Sequence, residues 1–415
     1  MTARLDTAPL GAIRAGDTVT LTGTVKNEGT APAFRVHARV QTDDGVFEDT
    51  ELLFGKIAPG ETRTFEAKLV VPKDSVDRLD RLGLEVREAK NAPATVIPAT
   101  LRIEARPRPV FAYAYHLVDA GNGDGLVQRR EKYKLRLTIK NSGQGTAAET
   151  TALLRNASGD GVVIDKSRFE LGELAPGQSR TVEFPFAVTP RLDGEEMAVE
   201  VLMYDGVLGT QASEKLRFPV RPAVAVEAQR GVVEVRARAT TLRAGASADS
   251  TPIGTAAAKA RFTSLGVAAG WVKVDLGEGR FGFAPAGEVG KTGGAATSAW
   301  TPTWHSTPPA LTVQQRGLET TAATYTVGGS VVDDTHVEDV YIYVSNSSAK
   351  IDGRKVFYRS NRGGKNDKQL DFQADVPLWP GSNQIMVVAR ENTDVRAVRM
   401  MYVYREATKT AAVSP

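Results

Sequence analysis

An internal repeat in the first half of the chain is the feature that most constrains the fold. The segment VKNEGTA at 25–31 recurs as IKNSGQG at 139–145, and GKIAPGETRTF at 55–65 recurs as GELAPGQSRTV at 172–182. The two matches keep the same order at offsets of 114 and 117 residues. We therefore expect two copies of one module, with a small insertion in the second copy.

Apolar and polar residues alternate within each copy, as at Val19, Leu21 and Val25 and again at Leu135, Leu137 and Ile139. This period of two predicts half-buried antiparallel strands, and Asn-x-Gly and Pro-Gly pairs between them predict turns. About seven short strands in roughly 100 residues, with one apolar face, are typical of an immunoglobulin-like β-sandwich.

Proline-rich segments at 106–109 and 218–222 mark module boundaries. The shorter stretch after them contains Gly-Trp and Gly-Phe pairs that fit a small barrel, and a stretch rich in Gly, Ala, Ser, Thr and Pro follows it. The predicted chain is all-β and multidomain, with sandwiches at 1–106 and 107–222, a small barrel at 223–290, a linker at 291–308, a fourth β-unit at 309–407 and a disordered tail at 408–415. In the fourth unit we expect strands at 325–332, 340–344, 355–358, 370–376 and 384–389.

The charge balance excludes one broad class of function. Lys and Arg number 52 against 49 Asp and Glu, and the net charge of +3 is too small for a polyanion-binding surface spread over the whole molecule. We therefore expect no nucleic-acid partner.

The absence of cysteine excludes disulfides, thiolate metal sites and a cysteine nucleophile. The first residues do not form a signal peptide, and no apolar stretch of about 18 residues predicts a membrane span.

The most specific motif is the loop DAGNGDGLVQRRE at 119–131. A twelve-residue calcium loop places short oxygen ligands at alternate positions, a glycine at the sharp bend and a distal glutamate that closes the cage. This pattern predicts one structural Ca²⁺, with ligands from Asp119, Asn122, Asp124, Leu126 through its carbonyl, and Glu131. Ala120 stands at the first position and offers no ligand, so Asp119 would have to take its place. A Gly- and Asn-rich turn with solvated carboxylates is the alternative.

Three further clusters admit a functional and a structural interpretation. The acidic segment 333–339 around His336 could bind a metal or act in acid-base chemistry, but Asp-rich turns between strands are common. The basic and aromatic segment 354–368 could grip a polyanion, but it also fits a strand and its exposed hairpin loop. Trp271, Phe281 and Phe283 could line a peptide or glycan groove, or pack in a core. In each case we expect the structural interpretation.

Motifs of common enzyme classes do not occur in the chain, namely Gly-x-Ser-x-Gly, a phosphate-binding loop, His-Glu-x-x-His and a dinucleotide glycine fingerprint. We therefore predict no catalytic residue. A hydrolase whose site is assembled from distant loops is the less favoured alternative.

Several segments resemble known bacterial domains. The second copy, through 110–115, the loop 119–131 and the segments at 137–141 and 153–161, resembles CARDB-like adhesion-type domains of exported proteins. In that family the loop usually ends in Pro-Gly-Glu, where this chain has Arg129-Arg130-Glu131. The small unit resembles bacterial SH3-like domains at GWVKV and GFAP, and the fourth unit resembles bacterial Ig-like domains at VVDDT and PGSN.

The order of these modules resembles the region that follows the protease domain in carboxyl-terminal processing (tail-specific, S41) peptidases of myxobacteria and related δ-proteobacteria. The resemblance implies a periplasmic or cell-envelope location and a non-catalytic accessory role, either positioning the peptidase or binding a protein, a peptide or an envelope glycan. The serine-lysine dyad of those enzymes has no counterpart in this chain. A free-standing adhesion or scaffolding protein of the cell envelope is the alternative.

Overall fold

The computed structural model describes residues 1–9, 11–42, 47–48, 50–88, 95–306, 308–393 and 395–406. Their regular structure consists of β-strands and two short 3₁₀ turns, Gly159–Gly161 and Ala286–Glu288. The prediction of an all-β, multidomain chain is therefore confirmed. No helix in these residues is long and apolar enough to cross a membrane. The predicted tail at 408–415 lies outside the described residues.

The chain forms two compact units. One unit combines Met1–Arg106 with Pro308–Pro415, and the other is Pro107–Thr307. Each unit contains two β-modules, so the first unit joins the beginning of the chain to its end. The sequence repeat did not indicate this pairing, because it relates the first module to the second.

The first module contains eight strands: β1 (Thr2–Ala8), β2 (Ala12–Arg14), β3 (Thr18–Lys26), β4 (Ala33–Gln41), β5 (Glu51–Ile57), β6 (Thr62–Val70), β7 (Arg78–Arg87) and β8 (Thr95–Glu104). They form a sheet of order β1-β3-β6 and a sheet of order β2-β8-β7-β4-β5. Only the β2–β8 pair is parallel among these strands. Alternate residues of β3, with Leu21 at their centre, pack against Leu52 and Leu84 of the other sheet in one apolar core.

The second module repeats this plan with β9 (Phe111–Asp119), β10 (Lys132–Asn141), β11 (Ala147–Asn156), β12 (Val162–Ile164), β13 (Arg168–Leu174), β14 (Ser179–Val188), β15 (Glu196–Asp205) and β16 (Gln211–Pro219). One sheet has the order β12-β14-β10-β9 and the other β13-β11-β15-β16. Leu137 and Phe184 of the first sheet share a core with Leu154 and Val201 of the second, as expected of a sandwich.

The third module contains β17 (Gly231–Val235), β18 (Ala239–Arg243), β19 (Pro252–Ala257), β20 (Arg261–Ala268), β21 (Trp271–Gly277), β22 (Arg280–Pro285), β23 (Val289–Thr292) and β24 (Thr301–Pro302). They form one sheet of order β23-β17-β20-β21-β22-β18-β19-β24. A short strand β25 (His305–Ser306) follows and pairs with β9 of the second module. The stretch at 291–308, predicted as a linker, therefore contributes edge strands to both modules of its unit.

The fourth module contains β26 (Ala310–Gln314), β27 (Glu319–Thr320), β28 (Thr324–Val332), β29 (Asp339–Asn346), β30 (Ile351–Ser360), β31 (Gln369–Pro377), β32 (Gly381–Arg390) and β33 (Arg396–Arg405). Its sheets have the orders β26-β28-β31 and β27-β33-β32-β29-β30. Val327, Phe372, Ile342 and Val387 meet in a common core between them.

Two buried asparagines explain the sequence repeat. Asn27 donates from Nδ2 to the carbonyl oxygens of Ala31 (2.9 Å) and Ile57 (3.0 Å). Asn141 makes the same pair of bonds to Gly145 (2.7 Å) and Leu174 (2.9 Å). Each asparagine joins the Asn-x-Gly turn to the strand that precedes the Pro-Gly turn. The two matching segments recur because one amide connects them in each copy.

Arginines of β7 connect the first and fourth modules within their unit. The Arg78 guanidinium lies 4.0 Å from the ring centroid of Tyr402, a cation–π contact. Arg81 forms ion pairs with Glu319 (3.1 Å) and Glu406 (2.8 Å). These contacts place strand β33 beside β7.

Candidate functional site

The loop predicted to bind calcium connects β9 to β10 in the second module. Asp119 ends β9, is 5% exposed, and accepts the N–H groups of Gly121 (2.6 Å) and Gly125 (3.1 Å). Gly123 and Gly125 have φ values of +77° and +67°, which favour glycine. The first turn of the loop is therefore shaped by one carboxylate and two glycines.

Asp124 is the most deeply placed polar group of the loop, with 0% exposure. Its Oδ1 accepts the N–H of Leu126 (2.8 Å), and its Oδ2 accepts the N–H of Val224 (2.8 Å). The Nε2 of Gln128 lies within hydrogen-bond distance of both oxygens, at 3.2 and 3.0 Å. The buried charge is thus compensated by N–H donors, one of which belongs to the segment that leads into the third module.

Asn122 and Gln128 complete the inner network. Asn122 Oδ1 accepts the N–H of Asp124 at 2.9 Å, and its Nδ2 donates to Gln128 Oε1 at 2.8 Å. Gln128 was not identified from the sequence as a functional residue. Gln128 lies four residues after Asp124, a position at which the calcium-loop pattern does not call for a glutamine, so no motif pointed to it.

Glu131 immediately precedes β10 and lies beside Tyr133. The Tyr133 hydroxyl lies 2.7 Å from Glu131 Oε2 and 3.0 Å from the Leu126 carbonyl oxygen, and it accepts the N–H of Gln128. Burial raises the pKa of the Glu131 carboxyl, the Tyr133 hydrogen bond opposes this, and the charges of Asp119 and Asp124 raise it further. Glu131 therefore stands in a locally negative environment.

Lys273 of β21 brings a positive charge from the third module. Its Nζ donates to the Gly123 carbonyl oxygen at 2.7 Å and lies 3.8 Å from the centroid of the Phe281 ring. Burial lowers the pKa of the Lys273 ammonium, whereas the charges of Asp119 and Asp124 raise it. This lysine places a positive charge against the loop. Sequence reasoning missed it because 150 residues separate it from Gly123.

The predicted calcium ligands come together only in part. Asp119, Asp124 and Glu131 all lie in the described residues, yet no group of three or more His, Cys, Asp or Glu side chains in the described ranges could hold a metal ion. Asp124 faces N–H donors, and the Leu126 carbonyl faces the Tyr133 hydroxyl. In this arrangement Asp124 and the Leu126 carbonyl are engaged in hydrogen bonds within the protein. Calcium binding stays a prediction.

The loop also touches the third module through its backbone. Ala246 donates its N–H to the Asp124 carbonyl oxygen at 3.0 Å. A Cβ placed on Gly125 would lie 2.0 Å from the Ala244 carbonyl oxygen, and a Cβ on Gly245 would lie 2.4 Å from that of Gly125. Two glycines thus permit a close approach of backbones. We call the contacts of Asp124, Gly125 and Lys273 with the third module the joint.

A buried histidine lies beside the joint. His116 of β9 is 5% exposed, packs edge-to-face against Phe281 with ring centroids 6.2 Å apart, and neither ring nitrogen has a hydrogen-bond partner. Burial, reinforced by the charges of Arg280 and Arg136, lowers the pKa of His116 to about 3. Both arginines bond to Glu278, at 2.9 Å for Arg136 and 3.2 Å for Arg280.

The acidic segment 333–339 forms a local turn. Asp333 Oδ1 accepts the N–H groups of Thr335 (2.8 Å) and His336 (3.1 Å), and Thr335 Oγ1 donates to Glu391 Oε1. Asp339, at the start of β29, forms an ion pair with Arg390 at 2.5 Å. These contacts support the interpretation as an Asp-rich turn.

The aromatic residues of the third module contribute to a small core. Phe283 is completely buried with Ala246 and Ala268, and Trp271 and Phe281 pack against this cluster. Phe281 also contacts Lys273 and His116, so its ring belongs to the joint region. The basic segment 354–368 forms most of strand β30 and the turn after it, as expected.

Comparisons with known proteins identify no family for the chain. No protein-family model matches it, and no curated protein matches it. A protein of unknown function from Porphyromonas gingivalis W83 shows 17% identity and a TM-score of 0.17, over 52% of this chain and 99% of its own. The YadV chaperone shows 12% identity and a TM-score of 0.18, over 52% and 100% of the two chains.

Red sea bream transglutaminase shows 10% identity and a TM-score of 0.20. The match covers 53% of this chain and 31% of the transglutaminase, so less than a third of that enzyme is involved. Sequence identities and TM-scores this low do not indicate a function for the chain.

Proposed function

We propose that this chain is a non-catalytic binding and positioning region, in which the second and third modules act as one rigid body. The observation that carries the proposal is the joint. Asp124, a completely buried carboxylate, receives N–H donors from its own loop and from Val224. These bonds connect the loop of the second module to the segment that leads into the third module, which supports a positioning role.

Replacing Asp124 tests the rigid-body proposal. Asp124→Asn keeps the side-chain volume but turns one acceptor oxygen into an amide that faces N–H donors. We expect amide hydrogen exchange at Val224 and Ala246 to accelerate by about tenfold or more, which corresponds to about 1.4 kcal/mol, while the core strand β14 keeps its protection.

Asp160→Asn is the matched control, because Asp160 is exposed in the same module. Its exchange pattern should equal that of the unmodified chain. Unchanged protection at Val224 and Ala246 in Asp124→Asn would contradict the role of the joint.

Lys273→Met separates a lysine-based joint from a calcium-based one. The variant removes the bond to Gly123 and the positive charge near Asp119, so we expect a loss of about 1–3 kcal/mol in the unfolding free energy of this unit. In thermal melts, the variant should lose the same stability relative to the unmodified chain with excess calcium as with a chelator. If calcium instead raises the melting temperature of the unmodified chain or of the variant, and elemental analysis finds bound metal, the calcium prediction gains support.

Association with an exported S41 peptidase remains a proposal that rests on the resemblance in module order. The DNA upstream of Met1 tests it. An open reading frame that encodes PDZ and peptidase domains would support association, whereas an independent promoter and ribosome-binding site would support the free-standing adhesion or scaffolding protein.

A further inference from the structure

Strand β30 forms the edge of the five-stranded sheet in the fourth module. It hydrogen-bonds to β29, and no other strand of the described residues pairs with it. An edge strand leaves alternate backbone N–H and C=O groups without a strand partner. Such an edge can accept an extended peptide as an additional strand.

The β30 edge is strongly basic. Residues 351–368 contain six basic and two acidic residues, a net charge of +4 in a chain whose total is +3. Arg354, Lys355 and Arg359 are exposed, and none of them forms an ion pair with an acidic side chain in the described part of the chain. By contrast, the nearby Arg362 pairs with Glu338 at 3.3 Å. The strand itself therefore carries positive charge that the fold leaves uncompensated.

An aromatic surface adjoins these cations. Tyr358 is 53% exposed and stacks on Tyr341 with ring centroids 6.5 Å apart. The Nζ of Lys355 lies 4.6 Å from the Tyr358 centroid and 4.7 Å from the Tyr341 centroid. The lysine is thus held at the edge beside an exposed ring, which offers apolar contact to a peptide side chain.

Lysine and arginine on an edge strand also prevent identical edges from pairing, because like charges repel. That repulsion does not act on an acidic strand, which the same charges attract. Charge complementarity and the open edge therefore point to the same partner class.

We propose that the β30 edge binds an extended acidic peptide, which adds to the sheet as a strand and places carboxylates against Arg354, Lys355 and Arg359. This binding goes beyond the positioning role proposed for Pro107–Thr307. The peptide-binding proposal is tested by peptide affinity and the positioning proposal by hydrogen exchange at the joint. The two proposals can therefore fail separately.

Fluorescence anisotropy with the full chain tests the proposal. The probe is a labelled peptide in which Glu-Glu and Val-Val pairs alternate, so that carboxylates lie on both faces of the added strand. It is compared with the same peptide N-methylated at alternate residues and with a single-stranded oligonucleotide of equal charge. We expect the triple variant Arg354→Glu, Lys355→Glu, Arg359→Glu to weaken peptide binding by about tenfold or more. N-methylation should weaken it similarly, because it removes strand hydrogen bonds.

The matched control reverses three exposed cations on strands of the other unit, Lys132→Glu, Arg168→Glu and Lys215→Glu. This variant has the same net charge as the test variant and should bind the peptide within about twofold of the unmodified chain. Absence of peptide binding, equal weakening by both triple variants, or no effect of N-methylation would overturn the proposal. Equally tight binding of the oligonucleotide would also overturn it, in favour of a general polyanion surface.

Discussion

Gly125→Ala should destabilise the unit formed by the second and third modules by about 4 kcal/mol or more. Gly125 has a φ of +67°, a conformation that costs an L-residue about 1–2 kcal/mol. In addition, the new Cβ would lie 2.0 Å from the Ala244 carbonyl oxygen, a separation that no side chain can tolerate. Because the obstacle is backbone on both sides, relief requires the modules to move apart and break the bond from Ala246 to Asp124.

Gly177→Ala is the control that isolates the close approach. Gly177 lies in the same unit with a φ of +79°, and a Cβ there would meet nothing within 4 Å. Gly177→Ala should therefore lower the unfolding free energy only by the cost of the left-handed backbone conformation, about 1–2 kcal/mol.

The measurement is urea denaturation in a Trp379→Phe background, where the remaining tryptophans, Trp271, Trp300 and Trp304, all report on Pro107–Thr307. Equal losses in Gly125→Ala and Gly177→Ala would show that the close approach does not matter for stability.

Acid should weaken the same unit through His116. Burial lowers the pKa of His116 from 6.5 to about 3, so the folded state keeps the imidazole neutral while the unfolded state takes up a proton. The stabilisation is complete above pH 6.5 and is lost as the pH falls from 6.5 towards 3. At about pH 4 the loss is on the order of 3 kcal/mol. The neighbouring charges of Arg136 and Arg280 act in the same direction, because each repels an imidazolium.

His116→Phe should flatten this part of the pH profile while it keeps the edge-to-face contact with Phe281. His37→Phe is the matched control, since His37 is half-buried in the other unit. The unfolding free energy from tryptophan fluorescence between about pH 4 and pH 7 provides the test. A His116→Phe protein that loses stability as steeply as the unmodified chain would remove His116 as the cause.

Much of the fold followed from local pattern. Alternation of apolar and polar residues predicted strands at 325–332, 340–344, 355–358, 370–376 and 384–389. β28 to β32 occupy these positions, with ends that coincide or extend by up to four residues. The period of two is decided by which face of a strand is buried, so it can be seen in the sequence. β33 was missed, although Met401 and Val403 face the core, because exposed Val398 and Met400 obscure the alternation.

Of the candidate site, only the loop at 119–131 could be predicted from the sequence. The spacing of Asp119, Asn122, Asp124 and Glu131 identified a segment with unusual polar side chains, and glycine at 125 correctly marked a sharp bend. The partners Val224, Ala246 and Lys273 could not be found from spacing, since each lies about 100 residues or more along the chain and meets the loop only after both modules have folded.

The sequence by itself determined the all-β class, the duplicated module and the position of the polar loop, because strand alternation, turn residues and repeats are local properties of the chain. Tertiary structure alone decided which groups the loop contacts and which modules become neighbours. Asp124 is buried because the third module covers it, Lys273 reaches Gly123 from another sheet, and β33 returns to lie beside β7. Burial and charge pairing between distant segments depend on packing, and no local pattern encodes them.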